Sequence, residues 1–207
     1  MEQHTEEWWQ ARCGRVTASR IADVMAKTKT GYGAGRKNYM AELLTERLTG
    51  EPAPGFSNAA MQWGTDTEPK ARNAYQFLTM ETVVETGFWV HPEIEWSGAS
   101  PDGLIGKDGL IEIKCPNSAT HIETLKAEKV ADKYVKQMQW QMACTGRQWC
   151  DFMSFDPRLP DHLQAWITRI NRDDELIAQI EEEVRAFLAE LEIDLETLQS
   201  KYPKEAA

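Results

Sequence analysis

The sequence predicts an α/β fold, and two patterns predict it. Between residues 88 and 114, short alternating runs are punctuated by Pro92, Gly98, Pro101, Gly106 and Asp108-Gly109, as in strands joined by tight turns. Further along, Leu176, Ile177, Ile180, Val184, Phe187, Leu188 and Leu191 recur at three- and four-residue intervals, as in a helix with one buried face. The chain has 207 residues, 42% of them apolar, enough for one substantial core, and no linker or repeat divides it. One domain spanning 1–207 is expected: an N-terminal helical region, a core sheet over about 85–170 and a C-terminal packing helix over about 173–192.

In chain order, Thr17 or Ser19 can cap a helix over 20–26. Glu68-Pro69 reads as the acidic first turn of a helix through 71–77. Strands are expected at 88–90, 95–97, 103–105 and 110–114, then a helix over 130–145, strands over 149–155 and 164–170, and a helix over 174–191 whose Glu181–Glu183 face outward. The eight tryptophans are expected chiefly in core or interface positions.

The net charge of −10 speaks against a nucleic-acid partner only if charge is evenly spread, and it is not. Much of the acid lies in 173–196, whereas 27–37 carries Lys27, Lys29, Arg36 and Lys37 among glycines with no acid. That stretch is either a mobile phosphate-contacting arm, with Lys29 as a candidate contact, or a solvated loop. No apolar run reaches the length of a membrane span and the N-terminus is acidic rather than signal-like, so a cytoplasmic protein without a membrane partner is expected. Cys13, Cys115, Cys144 and Cys150 contain no Cys-x-x-Cys pair and no His cluster accompanies them, which argues for free thiols, with Cys144 and Cys150 packing a helix against the next strand.

The runs Ser100-Pro101-Asp102-Gly103 and Ile111-Glu112-Ile113-Lys114 carry the chemistry. On a strand, Glu112 and Lys114 emerge on one face and Ile111 and Ile113 on the other. Two carboxylates, Asp102 and Glu112, suit hard Mg²⁺ or Mn²⁺, and an adjacent ammonium can orient an attacking water, a set suited to metal-assisted phosphodiester hydrolysis. The alternative is an ordinary Asp-Gly turn followed by the solvated face of an edge strand.

Ser-Pro-Asp-Gly followed by hydrophobic-Glu-hydrophobic-Lys-Cys-Pro resembles the PD-(D/E)XK nuclease core of the phage lambda exonuclease and YqaJ-type viral recombinase family. Arg12-Cys13-Gly14-Arg15-Val16-Thr17-Ala18-Ser19, Trp63-Gly64-Thr65-Asp66-Thr67-Glu68 and the Gln137-Met138-Gln139 stretch resemble three further motifs of that family, in the same order, covering about residues 8–145. The resemblance implies a restriction-endonuclease-like core, a central mixed β-sheet flanked by helices. It implies metal binding by Asp102, Glu112 and the Ile113 backbone carbonyl, with two Mg²⁺ ions per site, water activation by Lys114 and an acidic centre completed by Glu68. Arg12 and Ser19 correspond to positions that hold a terminal phosphate, and Ser100 and Gln137 to further phosphate-contacting or supporting positions. Gln137 and Gln139 cannot share one narrow helix face, and Gln137 is chosen for the site.

The activity implied is Mg²⁺-dependent 5′-to-3′ digestion of duplex DNA from 5′-phosphorylated ends, leaving 3′ overhangs for a single-strand annealing protein, by a homotrimeric ring of phage or prophage origin in a bacterial cytoplasm. Met61 is either an apolar wedge at the terminal base pair or a buried helix-start residue; Trp8 and Trp9 either pack or border the DNA entrance. A structure-specific endonuclease, a single-strand exonuclease and a non-catalytic DNA-binding assembly protein are the alternatives, and retention of Asp102, Glu112 and Lys114 argues against the last.

Overall fold

A computed structural model describes residues 2–29, 31–53 and 59–203. The chain opens with α1 (Glu6–Arg12), strand β1 (Val16–Thr17) and, after a 3-10 turn at Ala18–Arg20, α2 (Ile21–Val24). Strands β2 (Lys27–Thr28) and β3 (Gly31–Tyr32) lead into α3 (Ala34–Thr49) and α4 (Ala59–Thr79). Then come β4 (Val83–Val84), β5 (Trp89–Val90), β6 (Ser97–Ala99), β7 (Gly103–Ile105) and β8 (Gly109–Lys114). Helices α5 (Ser118–Ala127) and α6 (Asp132–Thr145), strands β9 (Trp149–Phe155) and β10 (Ala165–Asn171) and helix α7 (Asp174–Lys201) complete it.

The central sheet has five strands in the order β10-β9-β8-β7-β4, and a smaller sheet runs β1-β6-β5. Within the central sheet β8 and β9 are parallel, joined across α5 and α6, and the other pairs are antiparallel. Strand β8 therefore lies inside the sheet, so Glu112 and Lys114 do not stand on an edge. Ile111 and Ile113 pack with Ala71, Tyr75, Val83 and Met153, while Leu110, on the other face, meets Met138, Met142 and Phe152. Gly103 is required where β4 crosses: a Cβ there would lie 2.2 Å from Val83 Cγ1.

A second core joins α2, α3, α6 and α7. The Asp173 side chain accepts from Leu176 N–H at 3.0 Å and starts α7, whose Ile177, Ile180, Val184, Phe187 and Leu191 form the buried seam. Each such side chain contributes about 1.5–3 kcal/mol through burial. Among the described residues no helix is long and apolar enough to cross a membrane. All four cysteines are free, with Cys144 and Cys150 buried.

Several expectations are corrected. Helix α4 starts at Ala59, a full two turns before Glu68, and Pro69 sits inside it. Proline withholds only its own N–H from the Thr65 carbonyl, and burial of Thr67, Ala71 and Tyr75 carries the helix through. Neither Thr17 nor Ser19 caps a helix by its side chain; Ser19 is exposed. The strand expected at 95–97 lies at Ser97–Ala99 because Trp96 turns the chain at φ 62°. Met61 is 57% exposed rather than buried, and only Trp8 and Trp140 of the tryptophans are buried.

The basic stretch is no free arm: Lys27 pairs with Glu183 at 2.5 Å, Tyr32 donates to Glu183, and buried Arg36 pairs with Glu190 at 2.7 Å. Glu183 thus faces the hairpin and Glu181 faces His91 and Arg185, leaving Glu182 outward. Lys29 and Lys37 remain exposed, while Thr30 lies outside the described residues.

Candidate active site

The site forms where a strand runs out. β7 begins at Gly103, opposite Ile111, so no strand continues the ladder beside Ile113. Asp102 takes that place: its Oδ2 accepts Ile113 N–H at 2.6 Å. In a strand, the N–H and C=O of one residue point the same way, so the Ile113 carbonyl also opens toward Asp102, beside the cleft that Ile113 lines.

Glu112 is fully buried. Its Oε1 accepts from Gln137 Nε2 at 2.7 Å and its Oε2 from Gln141 Nε2 at 2.6 Å. Four-residue spacing puts both amides on one face of α6. Lys114 forms a close ion pair with Glu112 Oε1. Gln139 turns away, donating to the Asn171 carbonyl and accepting from Asp173 N–H. Of the two, Gln137 is the one that reaches Glu112.

Glu68 reaches the same region from α4, paired with Arg72 at 2.7 Å, and Arg72 also meets Glu85. Burial, reinforced by Glu112 and Glu68, raises the Asp102 carboxyl well above the usual range. Burial also raises Glu68, with Arg72 pulling it back and Glu112 adding to the rise. Burial works against the charged form of Lys114, but Glu112 and Asp102 outweigh it and hold the ammonium above its ordinary value. Negative charge is in excess here.

That excess, and the hardness of the oxygens, fit a divalent cation. Among the described residues no three His, Cys, Asp or Glu side chains gather closely enough to hold a metal by themselves. Asp102, Glu112 and the Ile113 carbonyl instead suit an ion such as Mg²⁺ that keeps several waters and takes only one or two carboxylates.

Beside the acids stands a cation of a different kind. Arg12, at the end of α1, lies over the Trp8 ring at 4.2 Å and donates to Ser100 Oγ at 3.2 Å. Ser100 Oγ also accepts from Trp8 Nε1 at 2.9 Å. Arg12 has no carboxylate partner among the described residues, and burial lowers its pKa. Arg12, Ser19, Ser100 and Gln137 line the same cavity, about 150 Å³, as Asp102, Glu112 and Lys114. An adjoining cleft of about 410 Å³ adds Met61, Glu68, Ile113 and Tyr134.

Every predicted site residue except Lys29 therefore lines one of two cavities that share Asp102 and Lys114. Lys29 sits on the β2–β3 turn and lines neither. Sequence reasoning missed Gln141, Arg72 and Tyr134. The first two carry a readable signal, since each stands four residues after a chosen site residue, Gln137 and Glu68.

Residues 7–148 match the family model of the YqaJ-like viral recombinase domain. A crystal structure of LHK-Exo in complex with dAMP superposes with a TM-score of 0.90 at 61% identity, covering 95% of this chain and 97% of that one. A crystal structure of LHK-Exo described as an alkaline exonuclease from Laribacter hongkongensis gives 0.89 at the same identity and coverage. A phage-related exonuclease from Haemophilus somnus 129PT shares the fold, with a TM-score of 0.71 at 19% identity over 89% of this chain and 96% of that one. No curated protein sequence matches the chain. With the PD-(D/E)XK-type fold and its carboxylate–lysine centre in place, the chain belongs to the YqaJ-like viral recombinase domain family, and its chemistry is that of a nuclease.

Proposed function

We propose that this chain is a Mg²⁺-dependent 5′-to-3′ exonuclease of duplex DNA that leaves 3′ single-stranded overhangs. One observation carries the reading: a half-buried guanidinium without a carboxylate partner, Arg12, shares a cavity with the acid–lysine centre. A terminal phosphate on Arg12 then lies beside the bond to be cut. Ser100 Oγ accepts two donors, so its own hydrogen is left to give to that phosphate, and exposed Ser19 adds a second hydroxyl. That LHK-Exo, 61% identical, is seen with dAMP, a nucleoside monophosphate, supports a nucleotide as the product.

Lys114 orients the attacking water, and Gln137 and Gln141 hold Glu112 in one orientation. When bound by Asp102, Glu112 and the Ile113 carbonyl, Mg²⁺ or Mn²⁺, one ion or two, supplies polarisation of the phosphate and a more acidic water. Hydrolysis breaks the P–O3′ bond, releasing a nucleotide with a 3′-hydroxyl and leaving a new 5′-phosphate for Arg12. Met61, exposed in the first turn of α4, serves as the wedge that parts the terminal base pair. The reading includes one folded domain, a homotrimeric ring and a single-strand annealing partner in a bacterial host's cytoplasm.

Linear duplexes with 5′-phosphate or 5′-hydroxyl ends, nicked circles and closed circles, each with Mg²⁺ or EDTA, test the reading. Degradation from phosphorylated 5′ ends in Mg²⁺ alone is expected. Cleavage of closed circles overturns it in favour of an endonuclease, and binding without hydrolysis in favour of an assembly protein. Light scattering tests the trimer, and a Met61→Ala variant that keeps full duplex activity removes the wedge.

A further inference from the structure

Helix α6 does more than hold Glu112. Its inner row repeats every four residues: Gln141 and Gln137 donate to Glu112, and the next member toward the N-terminus is Lys133. Lys133 is exposed and stands beside Tyr134, which lines the cleft. Its Nζ lies 4.7 Å from the centroid of the Tyr134 ring, and Lys114 Nζ lies 5.3 Å from the same centroid. Tyr134 lines the cleft and stacks on Phe152 with ring centroids 5.5 Å apart, which keeps the ring in place. The two ammonium groups are therefore at most about 10 Å apart, a span of up to about three nucleotides at ~3.4 Å of axis per nucleotide.

Lys133, like Lys107 and Lys126, carries no ion pair among the described residues, and what sets it apart is its place beside Tyr134. In this acidic chain Arg20, Arg36, Arg72, Arg158 and Arg169 all meet carboxylates, whereas Lys133 has no carboxylate partner among the described residues. An uncompensated ammonium, on a helix end whose dipole is positive, beside a ring that lines a cleft leading to excess negative charge, is suited to a polyanion approaching that cleft.

We infer that Lys133 is a DNA-positioning residue, binding a backbone phosphodiester within about three nucleotides of the bond that is cut. The inference rests on the nuclease reading above and adds a contact beside Tyr134, on the cleft that Arg12 does not line. The Tyr134 ring limits where the ammonium can sit, so the phosphate is held at a set distance from Lys114.

The test compares Lys133→Ala and Lys133→Glu with Lys107→Ala, a charge loss on the exposed β7–β8 turn, at the far end of those strands from Asp102. Affinity for a short fluorescent 5′-phosphorylated duplex is measured by anisotropy in EDTA across NaCl concentrations, and kcat and KM in Mg²⁺. Lys133→Ala is expected to weaken binding and raise KM about three- to tenfold at low salt, to lower the slope of log affinity against log salt by about 1, and to leave kcat unchanged. Lys133→Glu weakens binding further, and Lys107→Ala changes neither slope nor KM. An unchanged slope for Lys133→Ala, or an equal change for Lys107→Ala, overturns the inference while leaving the nuclease reading intact. A wild-type chain that neither binds nor cleaves DNA overturns both.

Discussion

Two buried carboxylate centres sit on opposite faces of the central sheet, one strand apart, and they are built to opposite rules. Asp151 on β9 is saturated: Arg169 donates to both of its oxygens at 2.7 and 3.0 Å and the Tyr75 hydroxyl donates at 2.6 Å. Burial and Asp151 raise the Tyr75 phenol, which stays a donor. Asp102, Glu112 and Glu68 share Lys114 and Arg72, and the carboxyls of Asp102 and Glu68 are pushed up. The first centre has nothing left to bind. The second, more open, keeps unbalanced charge and cavity space, the imbalance expected of a site rather than a strut.

The largest effect separates the two. Glu112→Gln and Lys114→Ala are expected to lower the cleavage rate by about 10³-fold or more with the fold retained, measured as single-turnover rate beside circular dichroism. Asp102→Asn, which removes one of the mutually repelling charges, is expected to be inactive yet to melt no lower than wild type. A lower melting temperature for Asp102→Asn would break the contrast.

Next, Asp151→Asn is expected to cost about 2–3 kcal/mol, roughly 5–10 °C in Tm, while the rate per folded molecule stays at the wild-type value. Loss of turnover at a temperature where the variant is folded would make Asp151 part of the site. A smaller effect sharpens the boundary: Gln141→Leu leaves Glu112 with one amide fewer and is expected to lower activity about ten- to a hundredfold, with weaker Mn²⁺ binding by calorimetry. If Mn²⁺ binding does not change, Gln141 belongs with the packing.

The smallest effect comes from a third, saturated carboxylate. Arg158 and the Arg158 N–H bring Asp156 down to about 2 despite its burial. A carboxyl depressed on folding contributes stability that is complete above its unfolded value near pH 4 and is lost as pH falls toward 2. Because Arg158 is partly exposed, the contribution is about 1 kcal/mol, and Asp156→Asn should flatten the acid limb of urea stability between those pH values by that amount.

The strand face of Glu112 and Lys114 was legible because alternation is a local property, and β7, β9 and the start of α7 were equally plain. What depended on tertiary contact was not. Pro69 looked like a helix start because its cost is local, while the burial of Thr67, Ala71 and Tyr75 that overrides it comes from the sheet. The lysine–glycine stretch looked mobile because its acid partners, Glu183 and Glu190, lie some 150 residues away. Gln141 was hidden by its neighbours in an almost wholly buried helix segment, where every residue from Gln137 to Cys144 is enclosed.

The place where β7 stops also sets how the site is assembled. Asp102 grips Ile113 across 11 residues of chain, whereas Gln137 and Gln141 reach Glu112 across 25 and 29. Closing the longer loops costs roughly 1 kcal/mol more in chain entropy, and the helix holding them is a separate element from the hairpin. The amide half of the grip therefore costs more chain entropy to assemble than the hairpin half. A centre assembled from one short and two long closures places its smallest entropy cost on the hairpin and its largest on α6.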